Sequence, residues 1–170
     1  IVSVICFTGI LLFLSGEVNK GFEKTLETCN KAISINPKDP VAYFNRAMAY
    51  LLMENYDFAV ADLRKTIEIV PDYTEAYYNL GYALLQQGKY EETLQVYNNL
   101  ISVRPELAEA FGIRANLFNQ MGKYEEALKD CSEAIKMNSE YGEAYFYRAY
   151  SNLLMNNYPS AISDYSQAIR

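Results

Sequence analysis

The sequence predicts an all-α protein built from stacked helix pairs. Three observations carry that expectation. Similar blocks return every 34 residues: EAYYNLGYALLQQGKYEET at 75–93, EAFGIRANLFNQMGKYEEA at 109–127 and EAYFYRAYSNLLMNNYPSA at 143–161. Self-similarity at a fixed period marks a stack of like building units. Inside each block the apolar residues recur at steps of three and four, the period of one helix face. Turn formers and a proline punctuate each block at matching places.

Pro37, Pro71 and Pro105 set the register, with Ser139 in the fourth place. Numbering each unit 1 to 34 with that proline at position 32 gives unit one at 40–73, unit two at 74–107, unit three at 108–141 and a truncated unit four at 142–170. A partial unit occupies 17–39, clear from Phe22 onward, and residues 1–16 stand outside the pattern. The first helix of each unit is expected over about positions 2 to 14 and the second over about 18 to 30. Between them lie Glu54-Asn55, Gln87-Gly88-Lys89, Met121-Gly122-Lys123 and Asn156-Asn157, of which Gly88 and Gly122 suit the left-handed residue that ends a helix. The proline at 32 cannot continue the second helix and so fixes the link to the next unit.

The columns explain the packing. Position 8 (Ala47, Gly81, Ala115, Ala149) and position 20 (Thr25, Ala59, Thr93, Ala127, Ala161) are small, as expected where two helices cross at about 8–10 Å. Position 4 (Tyr43, Tyr77, Phe111, Tyr145) and position 17 (Phe22, Tyr56, Tyr90, Tyr124, Tyr158) carry rings expected to fill the space beside that crossing. Position 28 is isoleucine throughout: Ile33, Ile67, Ile101, Ile135 and Ile169. One unit cannot bury these side chains alone, and its neighbour must cover them.

Composition excludes several functions. The chain has no histidine, so the usual general base and metal ligand are missing. Its formal charge of −6 argues against a nucleic-acid partner, which would call for a basic surface. Cys6, Cys29 and Cys131 form no CxxC pair, and Cys29 and Cys131 both fall at position 24, three units apart. Such cysteines are too distant for a disulfide, which needs Cα atoms within about 7 Å, and are expected as packed thiols. Glu91 with Glu92, and Glu125 with Glu126, are neighbours that point to different azimuths, so they make no acid/base pair. No catalytic, cofactor or metal site is expected, and no enzymatic activity.

The pattern resembles the tetratricopeptide repeat family. Unit two matches its signature with Tyr77, Leu80, Gly81, Tyr97 and Pro105, and later units supply Ala127, Ala134, Ala161 and Ala168. The departures are Arg46, Arg114 and Arg148 at position 7, Ser139 at 32 and the bulky Leu100 at 27. The resemblance implies an α-α superhelix, a right-handed solenoid of helix-turn-helix repeats. First helices would line a concave groove that binds a peptide or helix of a partner protein.

On the first helix, the face opposite its partner includes positions 2, 5, 6, 9, 12 and 13. The groove residues expected from it are Phe44, Asn45, Met48 and Leu52 in unit one, and Glu75, Tyr78, Asn79, Tyr82 and Gln86 in unit two. Unit three adds Glu109, Ile113, Asn116, Asn119 and Gln120, and unit four adds Glu143, Phe146, Tyr147, Tyr150 and Leu154. Rings offer contact area at low entropic cost, and amides such as Asn45, Asn79 and Asn116 both donate and accept. The row Glu75, Glu109, Glu143 either favours a basic partner or simply complements the helix dipole.

Some family members clamp the C-terminal carboxylate of heat-shock chaperones. That clamp has Lys at 5 and Asn at 9, Asn at 6 in the next unit, then Lys at 2 and Arg at 6. In this chain those places hold Phe44 and Met48, Asn79, then Glu109 and Ile113; the register one unit earlier ends on Glu75 and Asn79. The cations are absent and glutamates replace them, so no such clamp is expected.

Residues 1–16 (IVSVICFTGILLFLSG) carry no charge. They read as the remnant of a signal peptide or membrane anchor, through residues 1–14, or as a divergent capping helix against Phe22, Leu26 and Cys29. Localisation follows: exported or membrane-anchored in the first case, cytoplasmic in the second. The sequence stops inside a second helix, leaving Tyr165, Ala168 and Ile169 on an apolar face, so further repeats, a cap or another domain is expected beyond Arg170. The function expected is a non-catalytic scaffold or adaptor for a protein or peptide partner. The alternatives are the regulatory or substrate-recruiting arm of a larger enzyme and a scaffold that self-associates end to end.

Overall fold

The computed structural model describes residues 17–169; the readings made for residues 1–16 lie outside them. Among the described residues there are nine helices and no strand. These are α1 (Glu17–Ile35), α2 (Pro40–Leu52), α3 (Tyr56–Ile69), α4 (Thr74–Gln86), α5 (Tyr90–Val103), α6 (Ala108–Gln120), α7 (Tyr124–Met137), α8 (Gly142–Leu154) and α9 (Tyr158–Ala168). The full first helices thus occupy positions 1 to 13 and the second helices begin at 17, one residue earlier than the periodicity suggested.

The described residues divide into two compact bodies, the first ending at Ile69 and the second starting at Val70. In the first, α2 packs on both α1 and α3. In the second, each helix from α4 to α9 packs on the next, and the first helices α6 and α8 also touch each other.

Four hairpins close with one geometry. Glu54, Gly88, Gly122 and Asn156, all at position 15, have φ of 57°, 71°, 72° and 61°. The amide of the next residue reaches back five positions: Asn55 to Tyr50, Lys89 to Leu84, Lys123 to Phe118 and Asn157 to Asn152, at 2.8–2.9 Å. The position-15 amide itself donates to the carbonyl three residues before it, at 2.9–3.1 Å. These are the paired bonds of a Schellman cap, and they need a left-handed residue.

The starts of the helices differ. Asp39 caps α2 by accepting from the amides of Val41 and Ala42, with Pro40 pre-set at the first helical position. The preceding residues of α4, α6 and α8 are Tyr73, Leu107 and Tyr141, whose side chains cap nothing. Glu75, Glu109 and Glu143 supply first-turn negative charge instead. The Tyr43 hydroxyl donates to the Pro37 carbonyl, and that of Tyr77 to the Pro71 carbonyl at 2.9 Å, tying position 4 to the linker before it.

Positions 8 and 20 sit at the crossings, as their size requires. Ala47, Ala59, Thr93, Ala115, Ala127 and Ala149 are wholly buried. At Gly81 a Cβ would stand 2.3 Å from the Tyr97 hydroxyl, so that glycine makes room for the large ring at position 24. In unit three position 24 is Cys131, packed with Ala115, where the smaller side chain admits an alanine; in unit four Tyr165 stands with Ala149 and its ring turns to Phe146, 5.6 Å away. The rings at position 17 depart from expectation. They are the first residues of the second helices, and Tyr90 and Tyr158 are exposed rather than core.

The arginines that depart from the repeat pattern have a structural role. Arg46 forks onto Asp62, Arg114 onto Asp130 and Arg148 onto Asp164, each pair making two bonds of 2.6–2.8 Å. The remaining guanidinium nitrogen reaches Asn30 at 2.7 Å, Asn98 at 2.8 Å or Ser132 at 3.5 Å in the preceding second helix. Positions 7 and 23 of one unit are thereby bonded to position 25 of the one before. The hydrogen bonds to Asp62 and Asp164 hold Arg46 and Arg148 more firmly protonated than usual. Unit two replaces the pair by Leu80 and Val96, both buried.

Candidate functional site: the exposed faces of the first helices

In the first body, Asn45 and Leu52 of α2 are exposed, and Met48 and Phe44 are half-buried. Asn45, Met48 and Leu52 line one wall of a hollow of about 490 Å³, faced by Phe22, Thr25 and Cys29 of α1. The Cys29 thiol is buried, and that burial raises its pKa.

In the second body, Glu75, Gln86, Glu109, Gln120, Glu143, Phe146, Tyr150 and Leu154 are exposed. Tyr78, Tyr82, Ile113 and Asn116 are half-buried on the same helices. Positions 5, 9 and 13 therefore form a strip on each first helix: Tyr78, Tyr82, Gln86 on α4; Gly112, Asn116, Gln120 on α6; Phe146, Tyr150, Leu154 on α8. Phe146 lies edge-on to Tyr165 at 5.6 Å, so a ring at position 24 extends as far as position 5.

Three expected groove residues are turned inward. Asn79 is 8 % exposed; its Nδ2 donates to the Glu75 carbonyl at 2.7 Å and its covered Oδ1 has no hydrogen-bond partner. Asn119 bridges neighbouring first helices, donating to the Tyr147 carbonyl at 3.0 Å and accepting from the Ser151 hydroxyl at 2.6 Å. Tyr147 packs against Ala115, Ala127 and Cys131. Asn119 thus faces the adjacent first helix and Tyr147 the preceding hairpin, Asn79 folds back on its own helix, and Asn45, also at position 6, stays exposed. Burial pushes the Cys131 thiol up to about 12, which leaves it a packing group and not a nucleophile.

One inward-leaning residue escaped the pattern. Tyr141, at position 34, lies over Gly112, where an added Cβ would stand 2.6 Å from its ring. Burial raises the pKa of Tyr78, Tyr97 and Tyr141 alike. The charge of Glu109 is felt at both Tyr78 and Tyr141, and Tyr78 is in electrostatic reach of Tyr97 and Tyr141. Among the described residues no three acidic or cysteine side chains gather as a metal site, and no helix is long and apolar enough to cross a membrane.

Helix hairpins of one length, closed by one cap and joined at one interval, define a helical-repeat protein. The Tetratricopeptide repeat model matches residues 74–107 and 108–141, and related repeat models match 49–88 and 28–60. The chain belongs to the tetratricopeptide repeat family. No curated protein sequence matches it. Its fold is similar to the crystal structure of MamA, with a TM-score of 0.77 at 16% identity over 90% of each chain. It is also similar to YrrB, a TPR protein with an unusual peptide-binding site, with a TM-score of 0.70 at 19% identity over 90% of this chain and 78% of that one. The second TPR of Spaghetti (RPAP3), bound to the HSP90 peptide SRMEEVD, aligns at a TM-score of 0.53 and 26% identity, over 56% of this chain and 89% of that one.

Proposed function

We propose that the chain is a non-catalytic interaction scaffold that holds a peptide or helix of a partner protein against the exposed strips of its first helices. The observation that carries this is the surface at positions 5, 9 and 13. Leu52, Phe146, Tyr150 and Leu154 are each at least 40 % exposed on those strips, with amides beside them. The described fold leaves these large side chains in water, whereas its crossings are packed with alanine. Within the second body, Phe146, Tyr150 and Leu154 follow one another along a single face of α8, and exposed apolar surface of this kind is the usual mark of a binding face. One solved structure of this fold holds a peptide and another has a peptide-binding site, which supports the same reading.

The test is capture of partners from a lysate on the wild type and on a Tyr82→Ala, Asn116→Ala, Tyr150→Ala triple variant. Partners lost on the variant at unchanged helical content are groove ligands. If the variant retains every partner, the strips are not the working surface.

The partner is not the chaperone tail. The places where a carboxylate would be held carry Glu75 and Glu109 in place of cations, and Asn79 is already bonded to its own helix. Fluorescence polarisation with labelled SRMEEVD is expected to show no saturable binding. Saturable binding that disappears when the peptide's terminal carboxylate is amidated would overturn this.

A further inference from the structure

The hollow of about 490 Å³ in the first body has the walls of a seat that the second body shows filled. There Ala115, at position 8 of α6, packs against Ala127 and Cys131 at positions 20 and 24 of α7, and Tyr147, at position 6 of the following first helix, lies against the same cluster. The hollow is lined by the matching residues of the first body: Thr25 and Cys29, at positions 20 and 24 of α1, and Asn45, at position 6 of α2. Among the described residues no first helix stands between them. Thr25 is accordingly exposed, whereas Ala59, Thr93, Ala127 and Ala161 at the same position are buried. Gly21 is a second, independent observation. It lies inside α1, where glycine weakens a helix, and an added Cβ would meet nothing within 4 Å. A close helix crossing is what calls for glycine at such a place.

We infer that this hollow is the docking site of the chain's own residues 1–14, seated as the first helix of the partial unit with Ser15-Gly16 as the turn. In each described hairpin the left-handed residue follows the position-8 residue by seven and precedes the position-20 residue by five, as in Gly81, Gly88, Thr93 and in Ala115, Gly122, Ala127. Gly16 in that role puts Gly9 on one side of the crossing and Gly21 on the other. It leaves residues 2–14 for the docked segment, the same 13 residues as α2, α4, α6 and α8. This register runs five residues ahead of the one set by Pro37, and α1 is longer than α3, α5 and α7 by the same five, 19 residues against 14. The reach suffices: 13 helical residues span about 20 Å, against about 12 Å from Gly21 to Cys29. The chemistry agrees. The segment carries no charge, and Phe22, Cys29, Met48, Ala49 and Leu52 offer it apolar walls. The Thr25 and Thr28 hydroxyls already donate to the Gly21 and Lys24 carbonyls at 2.9 and 2.8 Å, so they demand no polar partner. Met48 and Leu52 then meet the chain's own segment, and the partner strips are those of the second body.

A disulfide across the proposed crossing, made in the 170-residue chain, tests this. In a Cys6→Ser, Cys29→Ser background, Gly9→Cys with Gly21→Cys should link under mild oxidation, because a disulfide needs Cα atoms within about 7 Å. Gly9→Cys with Ser34→Cys, at the far end of α1, should stay reduced; peptide mass spectrometry reads both. A second measurement decides where the glycine pair does not fold. The chain has no tryptophan, so Leu12→Trp, the counterpart of Phe118 in this register, is a single reporter. Its emission should be blue-shifted, and adding Leu52→Lys should move it toward that of tryptophan in water. No linkage of the glycine pair, or equal linkage of both pairs, at unchanged helical content would overturn the inference, as would an emission indifferent to Leu52→Lys. Sedimentation of the chain with phosphatidylcholine vesicles, in place of linkage, would assign the segment to a membrane and overturn it equally. The groove reading survives any of these failures, since its own test lies at Tyr82, Asn116 and Tyr150.

Discussion

Position 15 shows how much one residue's backbone decides. Four hairpins need a left-handed residue there, and the sequence supplies glycine twice, asparagine once and glutamate once. Glycine adopts that conformation without strain, and asparagine tolerates it. Glu54 holds it at φ 57° against a steric cost of about 1–2 kcal/mol. The side chain is exposed, so nothing else depends on it. Glu54→Gly should therefore stabilise the protein. The gain is reduced by the greater freedom of glycine in the unfolded chain, about 0.5–1 kcal/mol, leaving a net benefit of about 0.5–1 kcal/mol. Thermal melting followed by circular dichroism should rise by about 1–3 °C, and Gly122→Ala should lower it. A lower melting point for Glu54→Gly would mean that its side chain stabilises the turn in a way the geometry does not reveal.

The element scale is governed by what joins one hairpin to the next. Arginine at position 7 and aspartate at 23 form a forked pair in units one, three and four, and leucine with valine replace them in unit two. Two packings of one crossing are thus present in one chain, and they should be exchangeable as pairs. Arg114→Leu alone strands Asp130, whose side chain is 10% exposed. Loss of one partner from a fully buried pair costs about 3–5 kcal/mol, so a partly open one should cost on the order of 2 kcal/mol. Arg114→Leu with Asp130→Val should recover most of that, because it recreates the Leu80–Val96 arrangement. Urea unfolding of the single, double and parent proteins measures the coupling; equal instability of the single and double variants would show that the pair is not interchangeable. The arginines and aspartates recur 16 residues apart and were legible in the sequence. The apolar columns carry no trace of the pairing, because a charged pair at a crossing interrupts the hydrophobic period. The hairpins themselves were legible because size at positions 8 and 20 and turn chemistry at 15 are local demands. Asn119 and Tyr147 lie inward for a reason that is not local. A helix face drawn from one hairpin ignores the first helix of the next, and the Asn119 bond to the Tyr147 carbonyl is made across that contact.

At the scale of the molecule, sixteen tyrosines in a chain without histidine shift the pH sensitivity of the fold to the alkaline side. Burial raises the pKa of Tyr78, Tyr97, Tyr141 and Tyr147 above the ordinary phenol value, because the phenolate would lose its hydration. In the unfolded chain each would ionise near its ordinary value of about 10. Below that pH both states hold the proton and these groups leave stability unchanged with pH. Above it the unfolded state loses protons that the folded state keeps, so stability falls as pH rises toward the raised folded values. The forked arginines do not obscure the effect, since guanidinium stays protonated throughout this range. Absorbance at 295 nm against pH should therefore show Tyr78, Tyr97, Tyr141 and Tyr147 ionising only above the ordinary phenol range, together with loss of the far-ultraviolet helical signal. Tyr97→Phe should shift that loss to higher pH, because it removes a phenol whose ionisation draws the chain toward the unfolded state. A single ordinary transition for all tyrosines, with helicity unchanged beyond it, would show that these rings are not held in the packed positions described.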